Sequence, residues 1–86
     1  MLNLQYAPAF FKQFTKLEPA LQEKVLQAVE LFKDRKNHRR LEVHKLSGVM
    51  RGRLAFSVDF RNRVVFAWVS ADEVALLAVG GHDIYQ

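Results

Sequence analysis

Histidine and arginine are the residues of this 86-residue chain with the most chemistry to offer. His44 opens the run His44-Lys45-Leu46-Ser47-Gly48, and His82 follows Gly80-Gly81 near the end of the chain. Arg51, Arg53, Arg61 and Arg63 fall between them. Imidazole titrates close to neutrality, at about pH 6.5 when unperturbed, so it can take or give a proton in water. Guanidinium stays charged, and its planar fork matches phosphate oxygens. Cleavage of RNA without a metal uses both. One group removes the 2′-hydroxyl proton, another protonates the departing 5′-oxygen, and cations hold the charge that builds on the phosphate. The alternative for each histidine taken singly is a surface or capping residue.

The charge distribution points the same way. Ten of the thirteen Lys and Arg residues lie between Lys33 and Arg63, against Asp34, Glu42 and Asp59, so that block carries 10 − 3 = +7. The rest of the chain has three bases and six acids. Such lopsidedness suits a polyanionic partner. Arg35, Lys36, Arg39 and Arg40 have a simpler reading as cations at a helix C-terminus, where the helix dipole favours them. Half the residues are hydrophobic, enough for one core, and the length predicts one domain over residues 1–86. With no cysteine, disulfides and thiolate metal sites are excluded. Met1 to Phe11 lacks the pattern of a signal peptide, and no apolar run approaches membrane-spanning length, so a cytoplasmic protein without membrane association is expected.

Several elements must position these groups. Leu2 to Tyr6 alternates as a short strand does. Pro8 and Pro19 each suit the first turn of a helix, predicting helices over Pro8 to Thr15 and from Pro19 to about Arg35. In the second, Leu21, Val25, Ala28, Val29 and Phe32 recur at helical spacing. The two form a helical hairpin. Asn37 to Arg40 reads as a basic loop. Leu54, Phe56, Val58 and Phe60 then alternate with Arg53, Ala55, Ser57 and Asp59, placing the first set on the core and the second on a face open to ligand. Arg61-Asn62 is a tight-turn candidate. Arg63 to Ser70 is apolar on both faces, as an interior strand is, and Val74 to Val79 completes an antiparallel meander. The expected fold is α+β, with the helical hairpin packed on one face of a small antiparallel sheet.

Other side chains have two readings. Asp59 could orient a histidine or pair with an arginine. Phe66 and Trp68 fit core packing better than base stacking. Tyr85 could stack on a base, donate to a phosphate, or plug the edge of the core. No Gly-rich phosphate loop, H-E-x-x-H motif or paired-Cys spacing occurs, so nucleotide hydrolysis and zinc chemistry have no support, and no metal, cofactor or small-molecule ligand is expected.

His44-Lys-Leu-Ser-Gly48, Gly52-Arg53, Ala55-Phe-Ser-Val58, Arg63-Val-Val-Phe66 and Leu76-Leu-Ala-Val-Gly-Gly-His-Asp83, in this order and spacing, resemble the RelE/ParE toxin superfamily, closest to its RelE and YafQ-like branch. The resemblance covers most of the chain, since the helical hairpin also fits. It implies a RelE-like, microbial-RNase-like fold and a toxin of a type II toxin–antitoxin system. That toxin would cleave mRNA, often on the ribosome, without metal, inhibiting translation until a cognate antitoxin neutralises it. Carried over by position, His82 corresponds to the histidine of the C-terminal Gly-x-His motif, a proposed acid or base, and His44 to the one opening the His-x-Leu-x-Gly motif. Arg63 corresponds to the arginine expected to hold the scissile phosphate, and Tyr85 to the tail aromatic that positions a base. Arg53 would assist Arg63, while Lys45, Arg51 and Arg61 bind the RNA backbone. Two departures stand out: Tyr85 lies three residues after His82 rather than four, and Ser57 takes the place of a second-strand histidine found in some relatives. A ParE-like inhibitor of DNA gyrase and a non-catalytic RNA- or antitoxin-binding domain are the alternative functions.

Overall fold

The computed structural model describes the backbone of residues 1–85 and the side chains of residues 1–84. Along the chain run β1 (Asn3–Tyr6), α1 (Pro8–Thr15), α2 (Pro19–Phe32), β2 (His44–Lys45), β3 (Leu54–Ser57), β4 (Arg63–Trp68) and β5 (Glu73–Gly80). Short 3-10 turns occupy Arg35–Asn37, Gly48–Met50 and His82–Tyr85. The five strands form one sheet in the order β1-β5-β4-β3-β2. Its helix-facing side carries Phe56, Val64, Phe66, Val74, Leu76 and Val79, which meet Phe10 of α1 and Val25, Ala28, Val29 and Phe32 of α2 in one core.

Both helices begin as the prolines predict, with Pro8 and Pro19 in the first turn, where the missing N–H leaves no carbonyl unpaired. The second helix ends at Phe32, short of Arg35, because side chains beyond it capture its last carbonyls. Asn37 Nδ2 donates to Leu31 O at 2.9 Å, and a His38 ring nitrogen lies 2.8 Å from Phe32 O. A carbonyl can only accept, so that nitrogen of His38 carries its proton. The ring also stacks on Phe32 at 4.6 Å and 7°. His38 is therefore part of the helix terminus. Phe32 in turn stacks on Phe56 at 4.4 Å and meets Phe66 edge-on at 4.7 Å, which ties α2 to the centre of the sheet.

The sheet is mixed where an antiparallel one is expected. The meander β3–β4–β5 is antiparallel, with Ser57↔Arg63 and Arg63↔Gly80 in register, but β1 runs parallel to β5 from Asn3↔Glu73 to Tyr6↔Leu76. The meander alone would leave the outer edge of β5 unpaired, and β1 closes it. A further surprise is β5 itself, whose register against β4 shifts between Val65 and Phe66, so that both Ala78 and Leu76 find partners there with Leu77 left over. Trp68 lies at the rim of the helix side, 39% exposed beneath the Arg35 guanidinium at 5.0 Å.

The alternation of β3 also stops early. Phe60, expected in the core, is 93% exposed, because the strand gives way to a turn spanning Val58 to Asn62. Asp59 causes this. Its Oδ1 accepts the backbone N–H groups of Arg61 (2.9 Å) and Asn62 (2.8 Å) and the Asn62 side-chain amide (3.0 Å), an Asx-type capture that competes with the sheet ladder. Among the described residues, no helix is long and apolar enough to cross a membrane.

Candidate active site

Arg63 begins β4, opposite Ser57 on one side and Gly80 on the other. Strand alternation sends its side chain away from the helix layer, since Val64 beside it is in the core. Two residues beyond Gly80 the chain reaches His82. The row next to Arg63's contains His44, Ala55, Val65 and Ala78, paired strand to strand, so His44 enters from the β2 edge on the same side as Arg63. These groups meet in an open cleft of about 680 Å³ lined by His44, Phe60, Arg61, Asn62, Arg63, Gly81 and His82. The histidines and the arginine singled out from the sequence thus share one cavity.

The protonation of His44 follows from its contact. Its Nδ1 lies 2.8 Å from the Glu42 carbonyl, which can only accept, so Nδ1 bears the hydrogen and neutral His44 keeps its lone pair on Nε2. Glu42 reaches this pose through a left-handed backbone, φ 58°, unusual for a residue with a side chain. Two bonds hold it there: its N–H donates to Arg39 O at 3.1 Å, and its Oε1 accepts from Ser57 Oγ at 3.0 Å. Ser57 serves that latch and is not among the residues that line the cleft.

Arg63 has a structural duty as well. Its Nη1 donates to the carbonyls of Asp59 (2.6 Å) and Asn62 (3.1 Å), with Phe60 O at 3.4 Å, so it pins the β3–β4 turn from below. Among the described residues, Nη2 and Nε have no protein acceptor, which leaves one edge of the fork for a ligand. On the other side of the cleft, Gly80 adopts φ 153°, and a Cβ built there would stand 2.8 Å from Ile84 Cγ2. Only glycine lets the His82–Tyr85 turn fold back this closely against β5.

Among the described residues, the Asp59 carboxylate takes its hydrogen bonds from the backbone of Arg61 and Asn62 and the Asn62 amide and its ion pair from Lys24. Partial burial would raise its pKa, but the Asn62 amide, the backbone N–H groups of Arg61 and Asn62, and Lys24 at 3.8 Å together hold it below the usual carboxylate range. Its stabilising contribution is therefore complete above the ordinary carboxyl pKa and fades as the pH falls toward the lowered value. Asp59→Asn should accordingly flatten the decline in urea midpoint between about pH 5 and pH 3 relative to the parent. An unchanged decline would mean that Asp59 does not contribute.

The cationic block divides in the folded chain. Lys33 pairs with Glu30 at 3.0 Å, Lys36 with Asp34 at 3.5 Å, and Arg35 spends its guanidinium on Trp68 and the Ala71 carbonyl. Arg61 lines the cleft as expected. Lys45, Arg51 and Arg53 instead line a separate hollow of about 260 Å³ with Leu46, Gly52 and Leu54. Arg53 precedes β3 at the end opposite Ser57, so its backbone stands roughly 13 Å from the row of Arg63, four residues away at strand rise. It therefore does not join Arg63, and its Nη1 approaches Met50 Sδ at 3.9 Å. The side chain of Tyr85 lies outside the described residues. Phe60 and Glu42 are the site residues that sequence reasoning missed. The pair Asp59 and Asn62, a turn signature, could have revealed the first.

No family model matches the sequence, and no curated protein matches it significantly. Solved structures do. The chain is similar to the conserved hypothetical protein HP0894 from Helicobacter pylori, with a TM-score of 0.72 and 22% identity over 96% of this chain and 97% of that one. It is similar to YafQ from E. coli, with a TM-score of 0.70 and 11% identity over 99% and 98%. The toxin–antitoxin complex RelBE2 from Mycobacterium tuberculosis gives 0.70 and 15% over 94% and 98%. The chain has the RelE/ParE toxin fold. In this chain a two-helix layer backs a sheet whose other face, with Arg63 and the histidines at one end, carries the cleft.

Proposed function

We propose that this chain is a single-domain toxin of a type II toxin–antitoxin module, a cytoplasmic endoribonuclease that cleaves mRNA without metal, on or off the ribosome. The observation that carries this reading is the convergence of His44, Arg63 and His82 on one open cleft. Among the described residues its lining offers imidazole and guanidinium and no carboxylate, a donor set suited to a phosphodiester rather than to a hard cation.

In this mechanism the Nε2 lone pair of His44 takes the proton of a ribose 2′-hydroxyl, and O2′ attacks the adjacent phosphorus. The free edge of Arg63, with Arg61 beside it, holds the charge that accumulates on the phosphoryl oxygens. The bond to O5′ then breaks, and protonated His82 supplies the leaving oxygen with its proton. The products are a 2′,3′-cyclic phosphate and a 5′-hydroxyl end. Lys45, Arg51 and Arg53, in the neighbouring hollow, bind backbone phosphates further along the strand.

Fold neighbours solved as complexes, including YoeB–YefM from Staphylococcus aureus and RelE–RelB from Pyrococcus horikoshii, support a protein antitoxin as partner. An acidic, amphipathic segment folding onto the cationic cleft would mask it. The test is incubation of the purified protein with RNA in a chelator, with and without ribosomes. Cleavage to 2′,3′-cyclic phosphate and 5′-hydroxyl ends is expected. Intact transcripts with gyrase-dependent DNA breaks on induction would instead select a ParE-like activity. Salt-sensitive RNA binding with no cleavage under any condition would reduce the protein to a binder.

A further inference from the structure

We infer that Phe60 is a stacking platform for the base next to the scissile phosphate, an inference that rests on the nucleic-acid reading of the cleft. The ring is 93% exposed, yet it is one of the side chains lining the cleft. It also stands on a braced turn. Asp59 captures the turn's N–H groups, and Arg63 Nη1 holds the Asp59 carbonyl from the same side. A lone exposed phenylalanine needs no explanation, but one presented on a rigid turn at the lip of a cationic cleft is pre-organised for a flat ligand.

The rest of the lining decides what that ligand is. Among the described residues, the others with side chains in the lining, His44, Arg61, Asn62, Arg63 and His82, are all polar or charged. An amphipathic protein helix would find, among the described residues, a single ring to bury against. A single-stranded nucleotide needs just this combination, with one π-face for its base and cations for its phosphates. Stacking of this kind tolerates any base and strengthens with the size of its π-system, so a preference for purine at the stacked position follows.

The experiment compares Phe60→Ala, Phe60→Trp and the parent chain for binding to two short single-stranded 2′-O-methyl RNAs, which cannot be cleaved through O2′. One carries all its bases and the other is abasic throughout. Phe60→Ala should bind the base-bearing strand roughly tenfold more weakly and the abasic strand as the parent does, while Phe60→Trp retains affinity and shows fluorescence quenching. Equal affinity of parent and Phe60→Ala for the base-bearing strand overturns the inference and returns Phe60 to a contact with protein. Equal weakening on both strands also overturns it, since the loss would then be one of turn structure. If the parent cleaves no RNA but the contrast between the two strands holds, the platform stands and the nuclease reading falls.

Discussion

His82→Ala should lower the rate of RNA cleavage by about 10²- to 10⁴-fold, the range over which a positioned general acid contributes, and should abolish growth arrest on induction. The fold should survive, because His82 is exposed and lies beyond β5, outside the core. Thermal unfolding of the variant is the control for that. The pH profile separates proton transfer from mere positioning. An acid that must be protonated gives the alkaline limb of a bell-shaped rate profile, and a base that must be neutral gives the acidic limb. His82→Ala should therefore lose the alkaline limb, and His44→Ala the acidic one. Undiminished toxicity of His82→Ala, or both limbs persisting in it, would remove His82 from the mechanism.

Arg63→Lys should be nearly as damaging despite keeping the charge. Arginine divides its fork, with Nη1 on the turn carbonyls and the other edge in the cleft, and a single ammonium cannot serve both. The expected loss is about 10²- to 10³-fold in cleavage, as for removal of a donor aimed at a developing oxyanion. It comes with roughly 1–2 kcal/mol of stability from the unpaired carbonyls. Rates normalised to the folded fraction distinguish the two duties. If Arg63 only staples the turn, the melting temperature falls and the normalised rate stays at the parent value.

Those two residues were legible in the sequence for a simple reason. Local signals fixed the strands on which they sit: Arg63 heads an apolar run, and His82 follows the Gly-Gly break that ends another. Once β4 and β5 pair as a hairpin, the two ends come together whatever the rest of the chain does. The prolines made the helix starts equally readable. His44 was harder. It belongs to a two-residue edge strand whose position depends on pairing with Ala55 and Leu54, and on a left-handed Glu42 that no glycine or asparagine announces.

What misled was local pattern without its competitor. Alternation runs unbroken from Leu54 to Phe60, yet Asp59 offers the backbone a better acceptor than the sheet does and turns Phe60 out to solvent. Arg53 was expected to assist Arg63 at the phosphate, while the length of β3 keeps the two at opposite ends. The parallel β1–β5 pairing is invisible for a different reason. It joins segments from opposite ends of the chain, and nothing within Leu2 to Tyr6 names a partner.

The claim on which the mechanism depends is that both histidines act on the same phosphodiester. Single-turnover cleavage by His44→Ala, by His82→Ala and by the double variant tests it most directly, because groups that work as a unit lose activity non-additively. The double variant should be only slightly slower than the worse single one. Losses that multiply in full, or single variants that cut at the parent rate, would contradict it.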